Sequence, residues 1–242
     1  MIKHVFFDLD KTLTASRSPM AAAHQELFEA LCSKMDVVVV TGGNQAQIRE
    51  QATPRFDGKY LTLAQSGNHA VEKNGTVLWN DVLSSAQIEA TMRFIETLKH
   101  HFGINVKDAN DLVENRGAQI SYSVIGFHES VEKKYAFDPD DSKRQAAIKA
   151  LASEHAALIA AGVEVVPAGT TTYNFFALGK HKGFNIKRLL EQEKWAADEC
   201  VYVGDALFPG GNDETVIGVI PTQAVKDPDE TFAFIQDKLL SS

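Results

Sequence analysis

Short apolar runs that stop at a polar residue recur along the first third of the chain. Val5, Phe6 and Phe7 form one such run before Asp8, and residues 37–40 are four consecutive valines. Runs this short, rich in β-branched or aromatic side chains, are typical of strands that are buried on both faces of a parallel sheet. The pattern therefore predicts a sheet whose strands end at polar loops.

Between these strands the apolar residues recur at helical spacing. Leu27, Phe28 and Leu31 form the apolar face of a helix that we expect to begin at Ser18-Pro19, because serine caps helices and proline suits the first turn. The other elements predicted here are a helix over 44–51 that Pro54 stops, a strand over 60–64 and a hairpin over 69–79 with a two-residue turn at Asn74-Gly75.

The pattern changes near residue 83, where longer amphipathic segments begin. Residues 85–102 have helical period and end at Gly103, and an alanine-rich segment over 141–161 ends at Gly162. The extended segments predicted in this region cover 104–107, 112–125, 164–166 and 172–178. The order helix–strand–strand therefore occurs twice, which predicts an α+β layer.

The last quarter returns to helices alternating with short buried strands. The expected elements are a helix over 184–193, strands over 201–203 and 216–220, and a final helix from Asp227-Pro228 to Leu240. The predicted fold class is α/β, with a Rossmann-like parallel-sheet core formed by residues 1–82 and 180–242. An α+β cap domain is expected to be inserted over 83–179.

The charge balance and the cysteines narrow the function classes. The 242 residues carry 24 Lys and Arg against 32 Asp and Glu, a net charge of −8, which argues against a nucleic-acid partner because binding phosphates needs a basic face. Cys32 and Cys200 lie far apart, so neither a zinc site nor a disulfide scaffold is expected. No apolar run nears the roughly 20 residues that cross a bilayer, and the apolar N-terminus is too short for a signal peptide. We expect a cytoplasmic protein with no membrane partner.

Polar residues follow three of the predicted strands, and the carboxyl ends of parallel strands meet at one edge of a sheet. These residues are Asp8 and Asp10, then Thr41, Gly42, Gly43 and Asn44, and finally Asp205 with Asp213 a few residues later. Two like charges about 4 Å apart repel by roughly 4 kcal/mol at an effective dielectric constant of about 20. Because so many carboxylates would crowd one edge, we expect a hard, oxygen-seeking cation such as Mg²⁺ there.

The same residues resemble the four motifs of the haloacid dehalogenase (HAD) superfamily of phosphotransferases. Residues 7–14 (Phe-Asp-Leu-Asp-Lys-Thr-Leu-Thr) resemble the first motif, Thr41 the second, Lys182 the third, and residues 204–213 the fourth, all in the superfamily's order. The insert between the second and third motifs is similar to the superfamily's α/β type IIB cap. The resemblance implies a Mg²⁺-dependent enzyme acting on a small phosphorylated metabolite.

The resemblance also implies a role for each motif residue. Asp8 would be the nucleophile that forms an aspartyl-phosphate, and Asp10 would be the general acid and base. Thr41 would bind phosphoryl oxygens and Lys182 would neutralise phosphoryl charge, with Lys180 as a rival for that task. The expected metal ligands are Asp8, Asp10, Asp205 and Asp213, the last from farther away or through water.

Within the superfamily the chain is most similar to the eukaryotic-type phosphomannomutases. Arg17 stands seven residues after Asp10, as in that family, and residues 209–213 read Pro-Gly-Gly-Asn-Asp. Similarity in the cap covers Arg116-Gly117 and residues 123–126. The substrate-binding residues implied by this resemblance are Arg17, Gly42, Gly43, Asn44 and Arg116.

Four positions depart from the phosphomannomutase pattern. Phe127 stands where that family has an arginine in the cap, Lys11 replaces a glycine, and Lys180-His181 replaces Trp-Asp. A mutase must bind a bisphosphorylated intermediate in two orientations, so it needs a phosphate clamp in the cap, and arginine is the bidentate donor for that task. We therefore expect a phosphatase acting on a sugar phosphate. The alternatives are a phosphomannomutase and a weakly catalytic, phosphosugar-binding regulatory protein, and a homodimer is possible in each case.

Overall fold

The computed structural model describes residues 1–241, and its elements alternate as the hydrophobic pattern predicts. The strands are β1 (His4–Phe7), β2 (Asp36–Val40), β3 (Leu61–Ala64), β4 (His69–Val71), β5 (Val77–Asn80), β6 (Val113–Asn115), β7 (Gln119–Ser123), β8 (Val163–Ala168), β9 (Thr172–Ala177), β10 (Cys200–Gly204) and β11 (Thr222–Ala224). The α-helices are α1 (Ala22–Lys34), α2 (Gln45–Gln51), α3 (Ser85–Phe102), α4 (Val131–Phe137), α5 (Ser142–Ala150), α6 (Ala152–Ala160), α7 (Lys182–Glu193) and α8 (Pro228–Phe234). Short 3₁₀ turns cover Pro54–Phe56, Ala109–Asp111, Ala197–Glu199 and Glu214–Val216, and a π-helical stretch, Ile235–Leu240, continues α8.

The chain divides into two compact units. One, the core unit, consists of Met1–Asn80 together with the residues from Lys180 onward, and the other, the cap unit, is Asp81–Gly179. Among residues 1–241, no helix is both long and apolar enough to cross a membrane.

The core unit contains one sheet in the order β11-β10-β1-β2-β3-β4-β5. The pairs from β11 through β3 are parallel, and β3-β4 and β4-β5 are antiparallel. Side chains alternate between the two faces of the sheet along each strand, and both faces are apolar. Phe7 and Val39 pack in one core cluster, and Phe6 and Val38 pack in another. The loops after β1, β2 and β10 consequently lie at one edge of the sheet.

The cap unit contains an antiparallel sheet in the order β6-β7-β9-β8. Its apolar residues, such as Ile120 and Phe175, pack with Phe94, Ile95 and Leu98 of α3. A parallel-sheet α/β core with an inserted α+β unit confirms the predicted fold class.

A buried arginine holds the loop between β8 and β9. The Arg144 guanidinium has no exposed surface; it donates to the Asp138 carboxylate at 2.7 Å and to the carbonyl oxygens of Ala168 and Thr172 at 2.8 and 2.7 Å. Burial lowers the pKa of Arg144, and the Asp138 carboxylate opposes that shift. The paired charge and the satisfied donors make burial of this cation tolerable.

One predicted helix start and one predicted strand in the core unit are wrong. The first helix begins at Ala22, not at Ser18-Pro19, because residues 15–18 form a turn and the Met20 N–H is bonded to the Gln51 carbonyl. The predicted strand over 216–220 is also absent from these described residues. The Val216 N–H bonds to the Asp213 carbonyl in a 3₁₀ turn, and the strand that pairs with β10 comes later, as β11.

Three further sequence predictions differ from the structure in detail. The 69–79 hairpin exists, but its loop has three residues, because the Glu72 N–H bonds to the Thr76 carbonyl around a turn that ends at Gly75 in the left-handed conformation. The alanine-rich helix breaks into two at Leu151, which has non-helical backbone angles. Residues 104–107, all of them described, form no strand.

Candidate active site

Asp8 is the first residue after β1 and faces a lysine from another element. Its N–H donates to the Val203 carbonyl at 3.0 Å, which fixes it beside the end of β10. The Lys182 ammonium, at the first turn of α7, donates to Asp8 Oδ1 at 2.5 Å, and both side chains are at least 95% buried. The rival Lys180 is placed differently, since its ammonium lies 4.3 Å from the centre of the Phe184 ring. Lys182 is therefore the lysine that contacts Asp8.

A second carboxylate and a tyrosine complete this buried group. Lys182 Nζ also donates to Asp213 Oδ1 at 2.7 Å, and the Tyr202 hydroxyl donates to the same oxygen at 2.7 Å. The Lys182 Nζ lies 3.3 Å from the Tyr202 hydroxyl oxygen. Gly204 makes this packing possible, because a Cβ there would lie 2.4 Å from Asp213 Oδ2. Tyr202 was not among the predicted site residues: from the sequence it is one apolar-facing position in a buried strand.

Burial and neighbouring charges both shift the pKa values of the site residues. Burial raises the pKa of Asp8 well above its ordinary value, and the Lys182 charge opposes this. For Lys182, burial alone lowers the pKa, but the Asp213 and Asp8 carboxylates reverse that effect and raise it, so the ammonium stays charged. Burial, followed by the Asp213 charge, raises the pKa of Asp205 to about 6. Burial, again with Asp213, raises the pKa of the Tyr202 hydroxyl, which keeps it a neutral donor.

Three carboxylates come close enough to share a cation. Asp8, Asp205 and Asp213 each offer an oxygen, and these oxygens lie within 4.8 Å of one another. A set of carboxylate oxygens suits a hard divalent ion such as Mg²⁺ better than zinc or copper. Asp213 already accepts hydrogen bonds from Lys182, Tyr202 and the Ala206 N–H, more than either of the other two carboxylates. The donor set fits the predicted cation, with Asp8 and Asp205 as the more available ligands.

Asp10, predicted as a metal ligand, lies outside this three-carboxylate group. Its Oδ1 accepts from the Arg17 backbone N–H at 2.7 Å and from Gln51 Nε2 at 3.1 Å, and its Oδ2 accepts from Gln47 Nε2 at 3.3 Å. Gln51 also donates to the Thr14 hydroxyl at 2.8 Å. The side chain of Asp10 is thus oriented by amide donors, an arrangement that suits a proton-transfer group better than a ligand.

Sequence reasoning missed the two glutamines that hold Asp10. Gln47 and Gln51 are four residues apart on α2, which places them on one helix face, and the Gln47 amide bonds to Gln51 Oε1 at 2.8 Å. The signal that could have revealed them is this pair of amides on the helix that follows the Thr41 loop. A polar helix face is usually solvated, and only the packing of α2 against the 10–17 loop shows otherwise.

The residues of the second motif shape the loop after β2. Thr41 is buried, and its hydroxyl accepts from the Gly43 N–H at 3.1 Å. Asn44 caps α2 by accepting from the Gln47 N–H at 2.9 Å. A Cβ on Gly43 would lie 2.6 Å from the Gln47 amide oxygen, so glycine there makes room for a side chain that holds Asp10. Gly42 lies in the same loop, and Arg17 has a left-handed backbone.

The two cap residues singled out from the sequence are each engaged within the cap unit. Arg116 Nε donates to Glu114 Oε2 at 3.0 Å, and its side chain is 6% exposed. Phe127 is buried, its N–H donates to the Asp111 carbonyl at 3.0 Å, and its carbonyl accepts from Lys134. Arg116 is therefore a paired cation, and position 127 is part of the cap's packing.

The sequence of this chain matches a known protein family. Residues 24–241 match the family described as eukaryotic phosphomannomutase. The chain belongs to this family. Phosphomannomutase 2 of Dictyostelium discoideum is 26% identical over 241 residues, covering 96% of this chain and 94% of the relative. Phosphomannomutase 1 of Mus musculus is 24% identical over 228 residues, covering 86% of this chain and 80% of the relative.

Solved structures with the same fold are more distant in sequence. An N-terminally truncated Plasmodium falciparum IMP-nucleotidase superposes with a TM-score of 0.69 at 14% identity, covering 97% of this chain and 69% of the other. A phosphatase of the haloalkanoate (HAD) superfamily from Bacteroides thetaiotaomicron gives a TM-score of 0.63 at 14% identity, covering 100% of this chain and 96% of the other. Together, family and fold confirm the HAD resemblance and identify the chain as a phosphoryl-transfer enzyme.

Proposed function

We propose that this chain is a Mg²⁺-dependent phosphatase that hydrolyses a small phosphorylated metabolite, a sugar monophosphate, through an aspartyl-phosphate at Asp8. The observation that carries the proposal is the buried Asp8–Lys182–Asp213 chain beside Asp205. A carboxylate that is desolvated, paired with a fixed cation and next to a hard-cation site suits nucleophilic attack on phosphorus.

Each residue has a defined task in the two displacements. The Asp8 oxygen that is not bonded to Lys182 attacks phosphorus, the bond to the leaving oxygen breaks, and Asp10 gives that oxygen a proton. Asp10 then takes a proton from water, the water oxygen attacks phosphorus, and the phosphate leaves while Asp8 regains its carboxylate. Lys182 and Thr41 stabilise the phosphoryl oxygens, with Gly42 in the same loop. Bound at Asp8 and Asp205, Mg²⁺ would supply positive charge to the transferred phosphoryl group.

The state of the cap residues favours water over a second sugar hydroxyl as the final acceptor. A mutase must hold the far phosphate of a bisphosphate, and charge-assisted contacts from arginine are suited to that. Here Arg116 is bonded to Glu114, and position 127 is a buried phenylalanine. These observations support hydrolysis, with Arg17 and Asn44 remaining proposed substrate contacts.

Phosphomannomutase activity is the second candidate, and the family match favours it. The two candidates predict different products from one substrate. Phosphorus NMR of mannose 1-phosphate with enzyme and Mg²⁺ should give inorganic phosphate, with little mannose 6-phosphate even when a hexose bisphosphate is added. Interconversion of the two phosphates faster than hydrolysis of either would reject the phosphatase proposal, and full activity in EDTA would reject the metal requirement.

Two further expectations stay predictions. The cytoplasmic location expected from the sequence pattern is one of them. A homodimer is compatible with the proposed reaction and is measured by light scattering of the purified protein.

A further inference from the structure

The turn between β3 and β4 has three consecutive residues in the left-handed region. Gln65, Ser66 and Gly67 have φ values of 55°, 60° and 87°. Residues with a Cβ are strained in this conformation, and the strain persists only where surrounding contacts hold it. The Ser66 N–H donates to the Thr41 carbonyl at 2.8 Å, and the Gln65 N–H donates to the Gly43 carbonyl at 2.8 Å. The turn is therefore bonded to the loop that carries Thr41.

Two buried asparagine side chains bond to the same turn and to the start of α7. Asn185 on α7 has no exposed surface, and its Nδ2 lies 3.0 Å from the Ser66 carbonyl oxygen and 3.2 Å from Asn68 Oδ1. The same nitrogen lies 3.2 and 3.3 Å from the carbonyl oxygens of Lys180 and His181. Asn68, which is 1% exposed, donates from its own Nδ2 to the Lys180 carbonyl at 2.9 Å. We call Asn68 and Asn185 the asparagine clasp.

The surroundings of Asn185 show why an amide is needed there. Backbone carbonyl oxygens only accept hydrogen bonds, so the atom that faces them must be the amide nitrogen. Within residues 1–241, the buried Asn185 Oδ1 accepts no hydrogen bond. A buried acceptor without a partner lowers stability, and a leucine of similar size would avoid that loss. A Cβ on Gly67 would lie 2.4 Å from Asn185 Cβ, so glycine lets the two approach. The asparagine at 185 is therefore explained by the carbonyl groups that its nitrogen holds.

The clasp connects two residues that the proposed reaction uses. Lys182 and Asn185 are three residues apart in the first turn of α7, so holding Asn185 also holds the backbone that carries Lys182. Thr41 accepts from the Ser66 N–H, and the Ser66 carbonyl accepts from Asn185. A continuous path of contacts therefore runs from Thr41 through Ser66 and Asn185 to Lys182, and all of these residues belong to the core unit.

We propose that Asn185, together with Asn68, is a positioning residue for phosphoryl transfer, which holds the Lys182 ammonium in a fixed place relative to Thr41. The inference rests on the proposed function for the roles of Lys182 and Thr41 at the phosphoryl oxygens. Lys180, whose carbonyl both asparagines contact, is the first residue of the core unit after the cap unit. The clasp thus also holds the chain immediately before Lys182.

Two substitutions remove the clasp in different ways. Asn185→Leu keeps the volume and removes the donors, and Asn68→Ala removes the second amide without altering α7. With p-nitrophenyl phosphate and Mg²⁺, each variant should show a kcat lower by about tenfold to a hundredfold and a KM within about threefold of wild type. The reason is that a displacement near 1 Å in a positioned group can cost about a hundredfold in rate.

Orthovanadate is a probe that requires no turnover, because it adopts the five-coordinate geometry of the transferred phosphorus. Calorimetric titration of the full chain in Mg²⁺ should show orthovanadate binding on the order of tenfold weaker in both variants. Inorganic phosphate, which lacks that geometry, should lose less affinity. A larger loss for orthovanadate than for phosphate is the signature of positioning.

A matched control removes a buried hydrogen bond elsewhere in the core unit. Thr231 on α8 has no exposed surface, and its hydroxyl donates to the Asp227 carbonyl at 3.3 Å. Thr231→Val should lower the thermal midpoint and leave kcat and orthovanadate affinity unchanged. A purely structural role for Asn185 would give the same pattern in Asn185→Leu.

The outcomes separate the clasp from the proposed function. If the wild type is active and the folded clasp variants keep kcat and orthovanadate affinity within twofold of wild type, the inference is overturned, and either variant suffices if the other does not fold. A wild type that turns over no phosphate ester would reject the proposed function instead. Orthovanadate would then decide the clasp: a tenfold loss of affinity would support it, and unchanged affinity would overturn it.

Discussion

Ionised Asp205 should destabilise the metal-free protein, and Asp205→Asn should reverse that effect. The pKa of Asp205 is raised from 3.8 to about 6, first by burial and then by the Asp213 charge. Because the folded-state pKa is the higher one, the fold favours the protonated carboxyl. The stability this gives is fully present below pH 3.8 and is lost as the pH rises to about 6. One pKa unit corresponds to about 1.4 kcal/mol, so ionisation costs the folded state up to about 3 kcal/mol at pH 8.

The asparagine variant keeps an oxygen for Thr12 and removes the charge. In EDTA at pH 8, its thermal midpoint should exceed that of wild type by several degrees, since about 1 kcal/mol moves the midpoint of a chain this long by roughly 2–4 °C. At pH 4 the two proteins should melt at similar temperatures. Adding Mg²⁺ should raise the midpoint of wild type more than that of Asp205→Asn, because a ligand stabilises the protein it binds.

Differential scanning calorimetry with and without EDTA measures all of these effects. Asp198→Asn is a matched control, because Asp198 is an exposed aspartate outside the site and its replacement should change stability by no more than about 0.5 kcal/mol. If Asp205→Asn melts at or below the temperature of wild type in EDTA at pH 8, the carboxylates do not repel one another as argued. The case for a cation at this edge would then fail.

Three further predictions concern the catalytic pair, the tyrosine and the cap. Asp8→Asn should lower turnover by several orders of magnitude, whereas Asp10→Asn should still give a burst of p-nitrophenol from p-nitrophenyl phosphate; equal, mild losses in phosphate-release assays would contradict the division of roles. Tyr202→Phe should lower kcat by about tenfold or more with little change in KM, since a hydrogen bond to a charged group is worth about 1.5–3 kcal/mol; steady-state kinetics with unchanged kcat would exclude a positioning role. Arg144→Met should destabilise the protein by about 3–5 kcal/mol in urea unfolding followed by circular dichroism, because the buried Asp138 loses its partner, and a loss below about 1 kcal/mol would refute this.

Most strands of the parallel sheet could be predicted because they are short apolar runs, whereas β11 (Thr-Gln-Ala) is not one and was missed. The valines at 37–40 became β2, and the run before Asp8 became β1. The same criterion failed at 216–220, where an apolar segment forms a turn. Only Val216 and Ile220 are buried there, and Ile217 is 53% exposed. Strand pairing depends on a neighbour, β10, that a local pattern does not contain. Helix ends were set by contacts of the same kind, such as the bond from Met20 to Gln51.

The site residues that belong to the sequence motifs could be predicted. Asp8, Lys182, Asp205 and Asp213 come from three distant segments, and the structure brings them together at the carboxyl edge of the sheet. Their polar partners could not be predicted in the same way, because Tyr202 reads as one more residue of a buried strand. Whether a buried polar group is hydrogen-bonded to a site residue or only lies near it depends on distances that only the packed structure supplies.

The proposed function requires Asp8 to become phosphorylated during turnover. Borohydride reduction of the enzyme, quenched during turnover of a hexose monophosphate with Mg²⁺, would convert an aspartyl-phosphate into homoserine, which peptide mass spectrometry locates. We predict homoserine at position 8, dependent on both substrate and Mg²⁺ and absent from Asp8→Asn. Full turnover with unmodified Asp8 in the trapped enzyme, or homoserine at Asp205 instead, would contradict it.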